Sequence, residues 1–159
     1  MDSSQLLGDD APVAVPGVER PSDVEVGEVR HVHDGDTLFL QPEGTTKRSD
    51  ELKVRLVGID TPEVQPSVEC YGGEARQALR ELLPEGSDVW YTYDVEPFDR
   101  FDRALLYVWA SDGTFINLEL IEQDYAEAVR IGANERYWPE LKAAEDRALA
   151  GELGRWGSC

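Results

Sequence analysis

Four short stretches carry residue types that could do chemistry together. In Asp34-Gly35-Asp36-Thr37 two acids flank a glycine at a strand junction. Such a turn can aim carboxylate oxygens at a hard cation. Asp and Gly are also favoured in turns for backbone reasons alone, so this stretch by itself is as well explained by geometry. In Asp60-Thr61-Pro62-Glu63 a strand-end acid is followed by a proline-fixed bend and a second acid. One carboxylate of such a pair can hold a metal while the other acts as a base. An ordinary strand-end turn would look similar. Arg55 lies in the strand that leads to Asp60, in line with Val57 and Ile59 and opposite Leu52, Val54 and Leu56. A guanidinium among apolar neighbours needs a partner, and its planar fork suits bidentate phosphate binding. A nearby acid such as Glu51 would also serve as that partner. Arg103 closes the run Asp99-Arg100-Phe101-Asp102-Arg103 between two strands. The turn can present Arg103 back toward the first strands, with Arg100 and Phe101 placed to meet a sugar-phosphate and a base. A charged hairpin loop with no ligand has the same composition.

The elements that would position these residues are mainly strands. Glu25 to His33 alternates Val with polar residues, Thr37 to Leu40 resumes after the Asp-Gly-Asp turn, and Leu52 to Ile59 alternates again up to Pro62. A helix follows from Gly73 to Leu83, with Ala75, Leu79, Leu82 and Leu83 on one face and Pro84 and Gly86 ending it. Val89 to Val95 and Ala104 to Trp109 read as the fourth and fifth strands. Asn117 is placed to cap a second helix carrying Leu118, Leu120 and Ile121. A last helix starts near Asn134 or Tyr137 and stops at Gly151 and Gly154. Five short strands with a helix after the third predict an α+β domain, mainly β: a five-stranded OB-fold Greek-key barrel with three helices. The domain is expected over residues 25–159. Residues 1–24, with Pro12, Pro16 and Pro21 and no sustained period, read as a flexible acidic arm. That fold alone says little about activity, since many such barrels only bind.

Composition bounds the rest. A chain of 159 residues supports one domain with its own core, and four Trp, six Tyr and four Phe supply bulky material for it. No apolar run is long enough for a transmembrane helix, and residues 1–24 lack the pattern of a secretory signal. The compartment is therefore cytoplasmic, or extracytoplasmic if an upstream signal has been removed. The net charge of −18 is the opposite of what a nucleic-acid binder usually carries. Either the acids lie away from a small cationic cleft, or the protein works in high salt. Twelve of the 15 basic residues are Arg, a bias that fits a halophile or a GC-rich genome equally. The two cysteines, Cys70 and Cys159, suggest a disulfide tying the C-terminal tail to the body; two free thiols in a reducing cytosol is the alternative. His31 and His33 alternate on the first strand and are assigned no catalytic role.

Taken in order, DGDT, RLVGIDTPE, YGGEA, DRFDR and INLELIEQDYA closely resemble the thermonuclease (staphylococcal nuclease-like) family, from near Glu25 to Trp156. Each piece is weak and the ordered set is strong. The resemblance implies a calcium-dependent nuclease acting on DNA, RNA or both, as a monomer and away from membranes. Asp36 and Asp60 resemble the calcium-binding carboxylates, with the Thr61 carbonyl as a further ligand. Asp34 resembles the acid that shapes the metal site. Glu63 resembles the general base, and Arg55 and Arg103 the arginines that grip the scissile phosphate. Arg100 and Phe101 fall where a cationic and an aromatic residue flank the nucleotide. Tyr71 and Gly72 match the opening of the first helix. By that precedent, water expels the 5′ oxygen and leaves a 3′-phosphate. Two departures stand out. Asp102 replaces the glycine usual before the second arginine, and the nucleotide-flanking tyrosines find only Arg130 and Tyr137 as nearest counterparts. Cys70 before Tyr71, with a Cys after the C-terminal Trp, resembles the extracytoplasmic branch and favours the disulfide. The competing reading is a non-catalytic OB-fold module that binds nucleic acid or protein. Domains of that kind usually lose the acids or the arginines. A small acidic interaction domain is a third reading, and it predicts no cleft of arginines beside three carboxylates.

Overall fold

The computed structural model describes residues 18–62 and 70–151. Strands β1 (Glu25–Asp34), β2 (Thr37–Pro42) and β3 (Leu52–Leu56) come first, with a short 3-10 turn at Arg48–Asp50 before β3. A two-residue strand β4 (Ile59–Asp60), helix α1 (Gly72–Leu82), and strands β5 (Asp88–Phe98) and β6 (Ala104–Ala110) follow. Helix α2 (Ile116–Glu122), strand β7 (Glu127–Ala128) and helix α3 (Trp138–Gly151) complete the order. The large sheet closes into a barrel in the order β1-β2-β3-β6-β5, all pairs antiparallel except the parallel β3–β6 seam. This is the five-stranded barrel with three helices that the alternation predicted.

Alternation along the strands fills the barrel with Val29, Val32, Leu38, Leu40, Val54, Leu56, Tyr91, Leu106 and Val108, all at most 2% exposed. Burial of that much apolar surface supplies most of the folding energy, at roughly 25 cal/mol per Å². At one end Trp109 stacks on Phe115 at 4.6 Å, and Tyr137 meets both rings edge-on. The indole N–H of Trp109 donates to the carbonyl of Val18 at 2.9 Å. Arg20 lies 4.0 Å over Trp90, and the Thr92 hydroxyl donates to the Asp23 carbonyl. The packed domain thus reaches back to Val18, seven residues before Glu25, because a buried indole N–H needs an acceptor. Residues 1–17 of the N-terminal arm lie outside the described residues.

Two local expectations are corrected. The third strand does not run to Ile59. It ends at Leu56, and Gly58 turns the chain with φ +84 into β4, which pairs with β7 instead. A side chain at Gly58 would run into Leu141 of α3, so the same residue supplies the turn and the close helix approach. Asn117 is not a cap. Phe115 holds that position without a side-chain hydrogen bond, and Asn117 sits fully buried inside α2. Its amide donates to the carbonyls of Val57 (2.8 Å) and Leu106 (3.2 Å), and its oxygen accepts from the Val108 N–H (3.0 Å). It therefore ties α2 to the loop after β3 and to β6, next to the parallel seam. Asn117→Leu would leave the Val57 carbonyl and the Val108 N–H without this partner, while the Leu106 carbonyl keeps the Val57 N–H. The substitution is expected to lower stability by about 2 kcal/mol or more, read as a lower urea midpoint at unchanged slope. A midpoint close to wild type would show that the amide is dispensable.

Candidate active site

Each element that ends near the parallel seam contributes a polar residue to one cleft. The β1–β2 hairpin places Asp34 opposite Thr37, and the side chain of Asp34 accepts from the Asp36 N–H at 3.1 Å. This bond fixes the turn and turns the Asp36 carboxylate inward, where Asp36 is only 2% exposed. Gly35 between them has no room for a side chain: a Cβ there would stand 2.8 Å from both the Ala75 Cβ and the Thr61 hydroxyl. The hairpin thereby presses against the Asp60-Thr61 bend and the start of α1.

Both carboxylate oxygens of Asp36 have partners. One oxygen accepts from the Thr37 hydroxyl at 3.0 Å, the other from the Thr61 N–H at 3.1 Å. The second oxygen also lies 3.5 Å from Arg55 Nη2, which is 3.4 Å from the Asp60 carboxylate. Arg55 Nη1 donates to the carbonyls of Leu56 and Ile59, each at 2.7 Å. The guanidinium therefore holds the Gly58 turn with one nitrogen and bridges two carboxylates with the other. Glu51, the alternative partner, pairs with Arg30 instead. Buried charges persist only when paired and hydrogen-bonded in this way.

A cavity of about 350 Å³ opens above this cluster, lined by His33, Asp34, Asp36, Thr37, Lys53, Arg55 and Arg103. The structure thus brings Asp34, Asp36, Arg55 and Arg103 to one cleft and seats Asp60 and Thr61 beside it. Glu63 lies outside the described residues, as does Cys159. Among the described residues no cysteine is free. His33 and Lys53 also line the cleft, although neither belongs to the motifs singled out above. The signal was available in strand parity, since Lys53 is two residues from Arg55 and points to the same face.

Arg103 is held from its own hairpin. Its Nε donates to Asp99 at 2.7 Å, and Asp99 also accepts from the backbone N–H groups of Arg103 (3.0 Å) and Phe101 (2.9 Å). Asp102 does not pair with Arg103. It takes the left-handed conformation at φ +62, which accounts for a glycine being usual at that position. Phe101 is 61% exposed, with Arg100 at 4.9 Å and Arg103 at 5.6 Å from its ring. Tyr137 is buried in the aromatic cluster and does not reach the cleft, while Arg130 is exposed beside Trp138 and Glu135. Tyr71 precedes α1 at φ +69 and stacks on Tyr125 at 5.5 Å, a structural role.

The carboxylates of Asp36 and Asp60 offer only oxygen donors, and the buried Thr61 hydroxyl has no hydrogen-bond partner among the described residues. That chemistry suits a hard cation. Among the described residues no three acidic, His or Cys side chains converge on one metal position. Asp36 and Asp60 would therefore need carbonyl and solvent oxygens to complete a shell.

With the geometry in view, comparison with known proteins is direct. The model of the family described as staphylococcal nuclease homologue matches residues 53–158. The chain belongs to this family. It is 35% identical to a thermonuclease of Staphylococcus intermedius over 131 residues, covering 80% of this chain and 74% of that protein. It is 28% identical to a thermonuclease of Staphylococcus hyicus over 159 residues, covering 98% and 89%. It is 30% identical to the endonuclease YhcR of Bacillus subtilis (strain 168), covering 82% of this chain and 11% of that much longer protein.

Burial alone would raise the Asp99 carboxyl, but the hydrogen bonds from Arg103 and Phe101 outweigh it and hold the group below its usual 3.8. A depressed value means the interaction is complete above 3.8 and is lost as pH falls through the lowered value. The Arg103 Nε–H resonance should therefore hold its position as pH is lowered to 3.8 and move only below it. Movement already near neutral pH would show that the pair is not formed in solution.

Proposed function

We propose that this chain is a calcium-dependent nuclease that hydrolyses phosphodiester bonds of DNA, RNA or both and leaves 3′-phosphate ends. Membership of the staphylococcal nuclease family and relatives named thermonuclease and endonuclease support the nuclease class and a nucleic-acid substrate. The observation that carries the reading is Arg55, bridged to Asp36 and Asp60 and sharing a cleft with Arg103. Structural pairing alone would not set two arginines and buried acids around one open cavity.

In this reading Asp36, Asp60 and the Thr61 carbonyl hold the cation, and Asp34 fixes the hairpin that aims Asp36. A bound calcium ion would attract the anionic substrate and polarise a phosphoryl oxygen. Glu63 orients and deprotonates the attacking water. Arg55 and Arg103 take the phosphoryl oxygens and offset the charge that builds in the transition state. Both are already partnered, so the phosphate competes with Asp60 for Arg55 and with Asp99 for Arg103. Arg100 and the exposed Phe101 meet the neighbouring sugar-phosphate and base. A Cys70–Cys159 disulfide fits an oxidising, extracytoplasmic place of action, and the lack of a free cysteine among the described residues supports it. The chain acts as a monomer in this proposal.

Cleavage of single-stranded DNA in calcium, and its loss in excess chelator, is the direct test. Full activity with the ion removed would sink the metal role. Glu63→Gln should lower turnover by about 10²- to 10⁴-fold with the fold intact, and unchanged turnover would falsify the base assignment. Binding without cleavage under every condition would instead favour a non-catalytic OB-fold module. Under denaturing, nonreducing conditions the protein should show no titratable thiol; two thiols would exclude the disulfide.

A further inference from the structure

The cleft does not end at Arg55. On the outer face of β1-β2-β3 the cross-strand register runs Asp34–Thr37–Arg55 in one row and His31–Phe39–Lys53 in the next. Each β2 or β3 residue in the second row is two positions from its counterpart in the first, so both rows share one face about 6–7 Å apart. A second cavity of about 780 Å³ lies over the His31–Phe39–Lys53 row, and Lys53 lines both cavities. The first strand is built to load this face. A bulge between Val29 and His31 turns two consecutive residues, Arg30 and His31, outward, where strict alternation would bury one of them. Phe39 is half-buried at the centre, with the His31 ring 6.1 Å away. Arg30, Arg48 and Lys53 supply cations, opposed by Glu28 and Glu51. The pairs of Arg30 with those acids are long, 3.9 and 3.8 Å, and its side chain is half exposed, so its guanidinium is open to a better anion.

We propose that this groove is a track for single-stranded polynucleotide, holding the nucleotides that adjoin the one being cut. Phe39 offers a ring face to a base, and Lys53, Arg30 and Arg48 take successive phosphates. An aromatic platform edged by cations is how sequence-tolerant single-strand binding works. The groove also answers the charge problem: a chain at −18 needs a local run of cations leading to its cleft. The inference rests on the nuclease reading, because it assigns the direction in which the substrate leaves the cleft.

The test compares a short oligothymidylate that fills only the cleft with a long one that reaches the groove. Phe39→Leu should raise KM for the long substrate about tenfold, and Arg30→Gln several-fold, with kcat and the short substrate unaffected. Arg30→Gln alters an exposed side chain and guards against a folding defect in the first variant. Equal KM values for wild type and both variants on the long substrate would overturn the track while leaving the nuclease reading intact. Should the wild type cut neither substrate, the nuclease reading fails. Fluorescence anisotropy of the long oligothymidylate in chelator then decides the track by itself. Weaker binding by both variants supports it, and unchanged binding rejects it.

Discussion

The guanidinium of Arg55 is the interaction on which the rest of the cleft depends. Two of its bonds go to the backbone carbonyls of Leu56 and Ile59, which close the turn between β3 and β4. The other nitrogen faces Asp36 of the β1–β2 hairpin and Asp60 at the end of β4. Fold and site are therefore stabilised by the same side chain. Lys could supply the charge but not the planar fork that serves four acceptors at once. The buried carboxylate of Asp36 is tolerable only because this fork, a hydroxyl and a backbone N–H all point at it.

Much of this was legible in the sequence. The barrel followed from period-two alternation, and the meeting of Asp34, Asp36, Arg55 and Arg103 at one cleft from ordered motifs whose residue types suit anion and cation binding. What was not legible depended on tertiary partners. Asn117 looks like a cap because Asn is favoured there; only the nearby backbone of Val57, Leu106 and Val108 gives it a better use. The early end of β3 depends on Leu141, more than eighty positions downstream, which fills the space a side chain at Gly58 would occupy. Val18 reads as part of an unstructured arm until the indole of Trp109 is found facing it. The partner of Arg103 could be named only once the hairpin was seen, since Asp99 and Asp102 are both within reach in sequence and backbone conformation decides between them.

Charge is distributed less evenly than its sum. Several of the acids are committed to structure: Asp99 folds its hairpin, Glu145 takes the Ala128 N–H, and Glu96 takes the Ala133 N–H. Their charge is spent on backbone donors that would otherwise be left unpaired. A net value of −18 is thus a poor guide to the field inside any one cleft.

The parallel seam between β3 and β6 has a kinetic meaning as well as an architectural one. It joins Val54 to Ala104 and Arg55 to Leu105, residues about fifty positions apart in the chain, while the hairpins on either side join near neighbours. Loop closure makes such distant pairings slow to form, so the seam belongs to the late, topology-limited part of folding. Arg55 lies on this seam and Arg103 directly abuts it. Intermediates with only the hairpins in place would carry every motif and yet have no cleft. Catalytic competence would then appear only once this seam has formed, and recovery of activity would serve as a clock for that pairing.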